Sequence, residues 1–138
     1  MVQRESLSLL SNNRWRSRIE HVVSYIHLAI KQAVKSRCRY RFGAVIVKGG
    51  RPLAASSNIA RNDPRIDYRH ASVHAEEAAV RRVTVTRRAI IYVARVNIRG
   101  DLMIARPCAR CQKVLALAGI TWAHFTTSNG LETMRIGA

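Results

Sequence analysis

Residues 121–138 read TWAHFTTSNGLETMRIGA, and this ending decides how the chain completes its sheet. Thr121 to Thr127 has the β-branched and aromatic content of a strand, and Ser128-Asn129-Gly130 is a tight-turn sequence. Only 11 residues follow Thr127. A parallel return would need a crossover of a dozen or more residues, so Leu131 to Ile136 is predicted to come back antiparallel.

The elements upstream of that hairpin alternate. Pro107 is expected to open a helix running to about Ala118, with Gly119 closing it. Before it, Ala89 to Val96 is a strand rich in Ile and Val, and Gly100-Asp101 turns the chain into a short segment ending at Arg106. A further helix is expected around His74 to Arg82. Phe42 to Val47 and Pro52 to Asn58, separated by Gly49-Gly50, form a hairpin. From Trp15 the residues Ile19, Val22, Val23, Ile26, Ala29, Ile30, Ala33 and Val34 recur at three and four, the spacing of an amphipathic helix. Asn12 or Asn13 is its expected cap, and His21, Tyr25 and Lys31 fall off the stripe, which places them at the surface. The sum is a three-layer α/β/α domain with a mixed five-stranded sheet whose last strand is antiparallel.

With 138 residues and 48% apolar content, the chain is predicted to form one domain over residues 1–138, with 1–13 a flexible N-terminal segment. No apolar stretch approaches the roughly 18 residues of a membrane span. The first residues also lack the apolar run of a secretory signal, so the expected location is cytoplasmic, with no membrane partner. Lys and Arg number 24 against 8 Asp and Glu, a formal charge of +16, and 20 of the cations are Arg. A GC-rich genome accounts for Arg over Lys but not for the scarcity of acids. A phosphate-bearing partner is therefore favoured over charge that merely solvates the surface. Aromatic residues are only 6% of the chain, which argues against a long base-stacking platform.

Cys38, Cys108 and Cys111 are too few, and odd in number, for a disulfide framework. His74-Ala75-Glu76 opens one helix, and Pro107-Cys108-Ala109-Arg110-Cys111 opens the next. Cys108 and Cys111 are one helical turn apart, so both thiolates can face one point, and the helix N-terminus and Arg106 favour their ionised form. His74, Cys108 and Cys111 make three ligands for Zn2+, leaving a fourth position for water, as in a catalytic site. Zinc lowers the pKa of that water toward about 7. Glu76, too close to His74 to be needed as a ligand, is placed to take the water's proton and return it to the substrate. Each half of this pattern alone is weak, since a lone C-x-x-C also suits a redox pair or half a structural zinc knuckle. A structural site would want a fourth protein ligand. Cys38, at the end of the first helix, is instead read as a buried free thiol.

The pairing of H-x-E with P-C-x-x-C is the signature of zinc deaminases, and the stretch from Tyr40 to Thr127 resembles the cytidine deaminase-like superfamily. The resemblance implies that Phe42 and the Gly43-Ala44-Val45 that follows lie beneath the substrate base. It further implies that Asn58 contacts the sugar or base, and that the backbone around Ala75 binds the pyrimidine carbonyl. The short antiparallel ending is similar to that of the small pyrimidine-nucleoside branch. Two positions depart from that branch: it usually has Cys where this chain has His74, and a ribose-binding glutamate two residues after the asparagine, where this chain runs Asn58-Ile59-Ala60-Arg61. Arg61 in place of acidic ribose recognition suits a phosphorylated sugar. Tyr40 and Tyr68 are candidates to stack on the base, and His70 is a weaker candidate for substrate contact. Trp122 is placed in the core or an interface, and His124 is given a structural or surface role.

The expected activity is hydrolytic deamination of cytosine to uracil, the favoured substrate being cytosine in a nucleotide or a single-stranded nucleic acid. Deamination of free cytidine or deoxycytidine in pyrimidine salvage is the alternative, with a homo-oligomer expected in that case. Adenine or guanine deamination, and a non-enzymatic zinc-stabilised nucleic-acid-binding module, are the remaining readings.

Overall fold

The computed structural model describes residues 13–60, 72–83 and 87–137. Helix α1 spans Asn13–Lys35 and is followed by the hairpin β1 (Arg41–Lys48) and β2 (Arg51–Ser57). Two short strands, β3 (Ile59–Ala60) and β4 (Ser72–Val73), lead into α2 (Ala75–Arg81). After them come β5 (Ile90–Val96), β6 (Leu102–Met103), α3 (Ala109–Leu117), β7 (Trp122–Thr127) and β8 (Gly130–Arg135).

The main sheet is mixed and open, in the order β2-β1-β5-β7-β8, with β6 on the end of β5. The expected five strands are all present, and β6 makes a sixth. It is only two residues long, Leu102 and Met103 pairing with Val96 and Arg95, too short to leave a period in the sequence. Among the described residues only β5 and β7 run parallel, joined through α3. The last hairpin is antiparallel, as its length demands, with Thr127 opposite Gly130.

Two apolar layers flank the sheet. On one face Ala44, Ile46, Ile91, Val93, Ala123 and Phe125 pack beneath Ala75 and Ala79 of α2 and Leu115 of α3. On the other, Val45, Val47, Tyr92 and Ala94 meet Ile26 and Ala29 of α1. Alternation along β1 and β5 sends successive side chains to opposite layers, which is why both strands are almost wholly apolar. Helix α1 lies so close to β1 that a Cβ on Gly43 would come within 2.0 Å of the Ala29 carbonyl oxygen and 2.4 Å of the Ala33 nitrogen. The contact layer is therefore Gly and Ala by necessity.

The buried stripe of α1 is narrower than its periodicity suggests. Ile26, Ala29 and Ala33 are buried, whereas Ile19, Val23 and Val34 are exposed. Tyr25, expected at the surface, instead packs its ring 5.1 Å from that of Tyr92 and donates its hydroxyl to the Gly50 carbonyl at 2.8 Å. Asn13 is the first residue of α1, and Asn12 lies outside the described residues. Pro107, expected at the first helical position, stands just before the N-cap Cys108, two residues ahead of that position, which Ala109 fills. Trp122 is 43% exposed and so not part of the core, and His124 stacks on Tyr92 with ring centroids 4.9 Å apart. Among the described residues, no helix is long and apolar enough to cross a membrane.

Candidate active site

The fold gathers the signature residues from two helix starts. His74 is the N-cap residue of α2, and Cys108 is that of α3. A residue at that position is still extended, so its side chain projects beyond the helix end rather than along its flank. His74 Nδ1 lies 3.2 Å from Cys111 Sγ and 3.8 Å from Cys108 Sγ. One ligand atom from each of the three residues falls within 4.8 Å of the others.

This spacing fits a tetrahedral zinc ion. Bond lengths of about 2.3 Å to sulfur and 2.0–2.1 Å to nitrogen give tetrahedral edges of roughly 3.6–3.8 Å. Two soft thiol donors and one imidazole are also the donor set that zinc prefers. Burial pushes the Cys111 thiol up from its ordinary value, with the neighbouring Glu76, Cys108 and Glu77 adding to the shift. The lowering expected from the helix terminus and Arg106 is outweighed at Cys111, where a bound cation would supply the compensation. Cys38 stands apart from the three, half-buried just beyond α1 with its Sγ 3.6 Å from the Asn58 carbonyl.

Glu76 and Glu77 follow His74 into the first turn of α2, and both are buried. Burial pushes the Glu76 carboxyl up to about 7, opposed by a backbone hydrogen bond and assisted by the charge of Glu77. A carboxyl poised there can hold or release a proton near neutral pH. Glu77 is answered by arginines: Arg110 Nε lies 3.2 Å from its Oε1, and Arg81 lies 3.8 Å from Oε2. The Arg110 contact ties α2 to α3, the two elements that carry the ligand atoms. Reading the sequence alone missed this pair, although an arginine inside C-x-x-C three residues after a proline was there to be questioned.

Asn58 sits on the other side of the site. Ile59 of β3 pairs with Val73 of β4, so the chain just before β3 meets the chain just after β4, bringing Asn58 beside His74. Its side chain is largely committed to the protein. Oδ1 accepts from Phe42 N at 3.0 Å and from the Ser36 hydroxyl at 2.5 Å, and Nδ2 donates to the Tyr40 carbonyl at 2.7 Å. Asn58 therefore fixes the start of β1 and, among the described contacts, keeps one amide hydrogen for a ligand. Phe42 is half-buried against the core on the α2 and α3 face, and Ala75 is fully buried at the start of α2. Tyr40 is 54% exposed beside them. Arg61, Tyr68 and His70 lie outside the described residues.

Residues 17–127 match the family described as the cytidine and deoxycytidylate deaminase zinc-binding region. The dCMP deaminase of cyanophage S-TIM5 is similar in structure, with a TM-score of 0.62 and 22% identity over 77% of this chain and 82% of that one. The same phage enzyme has also been solved with dCMP and dUMP. The cytidine deaminase of Burkholderia pseudomallei gives a TM-score of 0.63 and 19% identity, over 83% of this chain and 91% of that one. No curated protein sequence matches the chain.

Proposed function

The chain belongs to the family of the cytidine and deoxycytidylate deaminase zinc-binding region and is a zinc-dependent hydrolytic deaminase, and from that premise we propose that it acts on cytosine carried by a phosphorylated sugar, as a nucleotide or within a single-stranded nucleic acid. The observation that carries the phosphate is the charge of +16 on 138 residues. The S-TIM5 enzyme's complex with dCMP and dUMP is consistent with a nucleotide in a site of this fold.

His74, Cys108 and Cys111 hold the zinc, which when bound supplies a Lewis acid able to activate water at neutral pH. Glu76 relays the two protons of the attacking water in turn, one to N3 of the base and one to the departing amino group. Water oxygen adds to C4, the C4–N bond breaks, ammonia leaves, and uracil remains. Burial suits Glu76 to this work, because a carboxyl held up to about 7 both accepts and gives back a proton without a large cost in either direction. The backbone at Ala75 receives the pyrimidine carbonyl, Phe42 lies beneath the ring, and the free amide hydrogen of Asn58 faces the sugar. Arg61, the candidate that the sequence offers for the phosphate, lies outside the described residues.

One observation favours a second reading. The last strand, β8, returns antiparallel after a tight turn. That hairpin resembles the one in the small nucleoside deaminases, whose substrate is free cytidine or deoxycytidine and which assemble as homo-oligomers. Mass spectrometry separates the two readings. The zinc-loaded protein is incubated with cytidine, deoxycytidine, their monophosphates and a cytosine-containing single strand, each deamination adding about one dalton. Conversion of the monophosphates or the strand in preference to nucleosides is the expected result. Conversion of free nucleosides alone would replace this reading with salvage, and no conversion of any of them would sink both.

A further inference from the structure

One cation on the catalytic side of the sheet is left unexplained by the zinc site. Ile91 and Val93 of β5 point into the core beneath α2 and α3, and two residues on, the same alternation brings Arg95 to that face. Arg95 is paired in register with Phe42, and its guanidinium lies 5.5 Å from the Phe42 ring centre and 4.9 Å from that of Tyr40. Arg39 approaches the Tyr40 ring as well, at 5.6 Å.

Two short chains of contacts connect this cluster to the metal donors. The Tyr40 carbonyl is held by Asn58, which stands beside His74. The Arg95 backbone N–H donates to the Thr126 hydroxyl, which donates in turn to Met103, and the Thr126 carbonyl accepts from Ala105, three residues before Cys108. The main chain on either side of Arg95 is thus tied to the strand ends that frame the zinc ligands. Its guanidinium, by contrast, makes no ion pair and no side-chain hydrogen bond among the described residues. The rings support it face-on, which leaves the N–H edges of the fork open.

We propose that Arg95, carried on the rings of Tyr40 and Phe42 at the mouth of the deaminase site, is the residue that binds a phosphate of the substrate. A planar fork of five donors matches phosphate oxygens in a way that a lone ammonium does not. Stacking on two rings also holds the fork in place before the ligand arrives, so little side-chain freedom is lost on binding. The proposal rests on the phosphorylated-substrate reading above and names the residue that distinguishes that substrate from a free nucleoside.

Binding, rather than turnover, tests it. Zinc-loaded Glu76→Gln protein is titrated by calorimetry with deoxycytidine, with dCMP and with a short single strand containing one dC, with and without Arg95→Gln. The expected result is that dCMP, the strand or both bind at least tenfold more tightly than deoxycytidine, and that Arg95→Gln removes this advantage while changing deoxycytidine less than twofold. A gain confined to dCMP identifies a terminal phosphate as the ligand, and a gain confined to the strand identifies a phosphodiester. Arg95→Lys, which keeps the charge but not the fork, should retain part of the advantage. An equal loss for all three ligands would make Arg95 a prop for Phe42 and overturn the proposal, as would an advantage that survives the substitution or is absent from the start. Turnover by the wild-type protein is read separately, so failure of the deaminase reading shows there while the titrations still decide the role of Arg95.

Discussion

Glu76 occupies a position where a carboxylate is costly to keep, and that cost is informative. It is buried, and its carboxyl is raised to about 7 chiefly by loss of solvent. A residue selected only for stability would be apolar there or a neutral amide. Glu76→Gln should therefore leave the melting temperature undiminished and the zinc in place while lowering kcat by about 10²- to 10⁴-fold, the usual contribution of a general acid–base. Metal content, melting and turnover measured on one preparation check all three at once, and retained turnover would remove Glu76 from the mechanism. His124 illustrates the opposite case, a titrating group far from the chemistry. Packed on Tyr92 and bonded to Thr133 at 2.7 Å, it is held below its ordinary pKa of 6.5 by burial. Its folded form resists protonation, so the unfolded chain binds more protons as pH falls through 6.5, and stability is lost in that direction. Urea melts between pH 7.5 and 5 should show a smaller loss in His124→Asn than in the wild type.

At the scale of elements, the site depends on two helices starting at one point, and the Glu77–Arg110 contact holds those starts together. Arg110→Gln leaves a buried carboxylate with only the more distant Arg81, at an expected cost of about 1–2 kcal/mol. For a chain of this length that is a fall of roughly 3–6 °C in melting temperature. Glu77→Gln should cost less, because it removes the buried charge together with the need for a partner. Zinc should also pass to a chelator faster from Arg110→Gln than from the wild type. This pair shows where sequence reading stops. The ligands were legible because their chemistry fixes their spacing: a turn of helix between Cys108 and Cys111, and an extended N-cap at His74. The closing hairpin was legible because Ser128-Asn129-Gly130 is a tight turn, and a turn that short joins only antiparallel strands. Glu77 and Arg95 were not, since a charged residue is read as surface until its neighbours are known. Tyr25 was misplaced for the same reason, its ring and hydroxyl finding partners from β5 and the β1–β2 turn. Gly43 could be seen as a strand glycine, but only the approach of α1 to 2.0 Å from its missing Cβ explains it, and Gly43→Ala should destabilise the fold by about 1–3 kcal/mol or more.

Over the whole molecule the charge becomes more lopsided than its formal value of +16 suggests. Two of the eight acids, Glu76 and Glu77, are buried, so they contribute little to the field outside. Among the described residues the exposed acids are Glu20, Asp101 and Glu132, set against exposed arginines that include Arg37, Arg51, Arg87, Arg99 and Arg106. Such a surface attracts any polyanion, so binding to nucleic acid in dilute buffer would say little about function. The dependence on salt is more discriminating, provided it is read on turnover. If the charge serves a phosphorylated substrate, kcat/KM for dCMP or for a cytosine-containing strand should fall as salt rises from 50 to 200 mM. Over that range the screening length shortens from above to below about 10 Å. The value for deoxycytidine, which carries no charge, should stay level and act as the control for salt effects on the enzyme itself. A fall shared by all three substrates would point to the protein rather than the ligand. Level values throughout would leave the arginines a property of the surface, and the preference for phosphate would then have to come from groups inside the pocket.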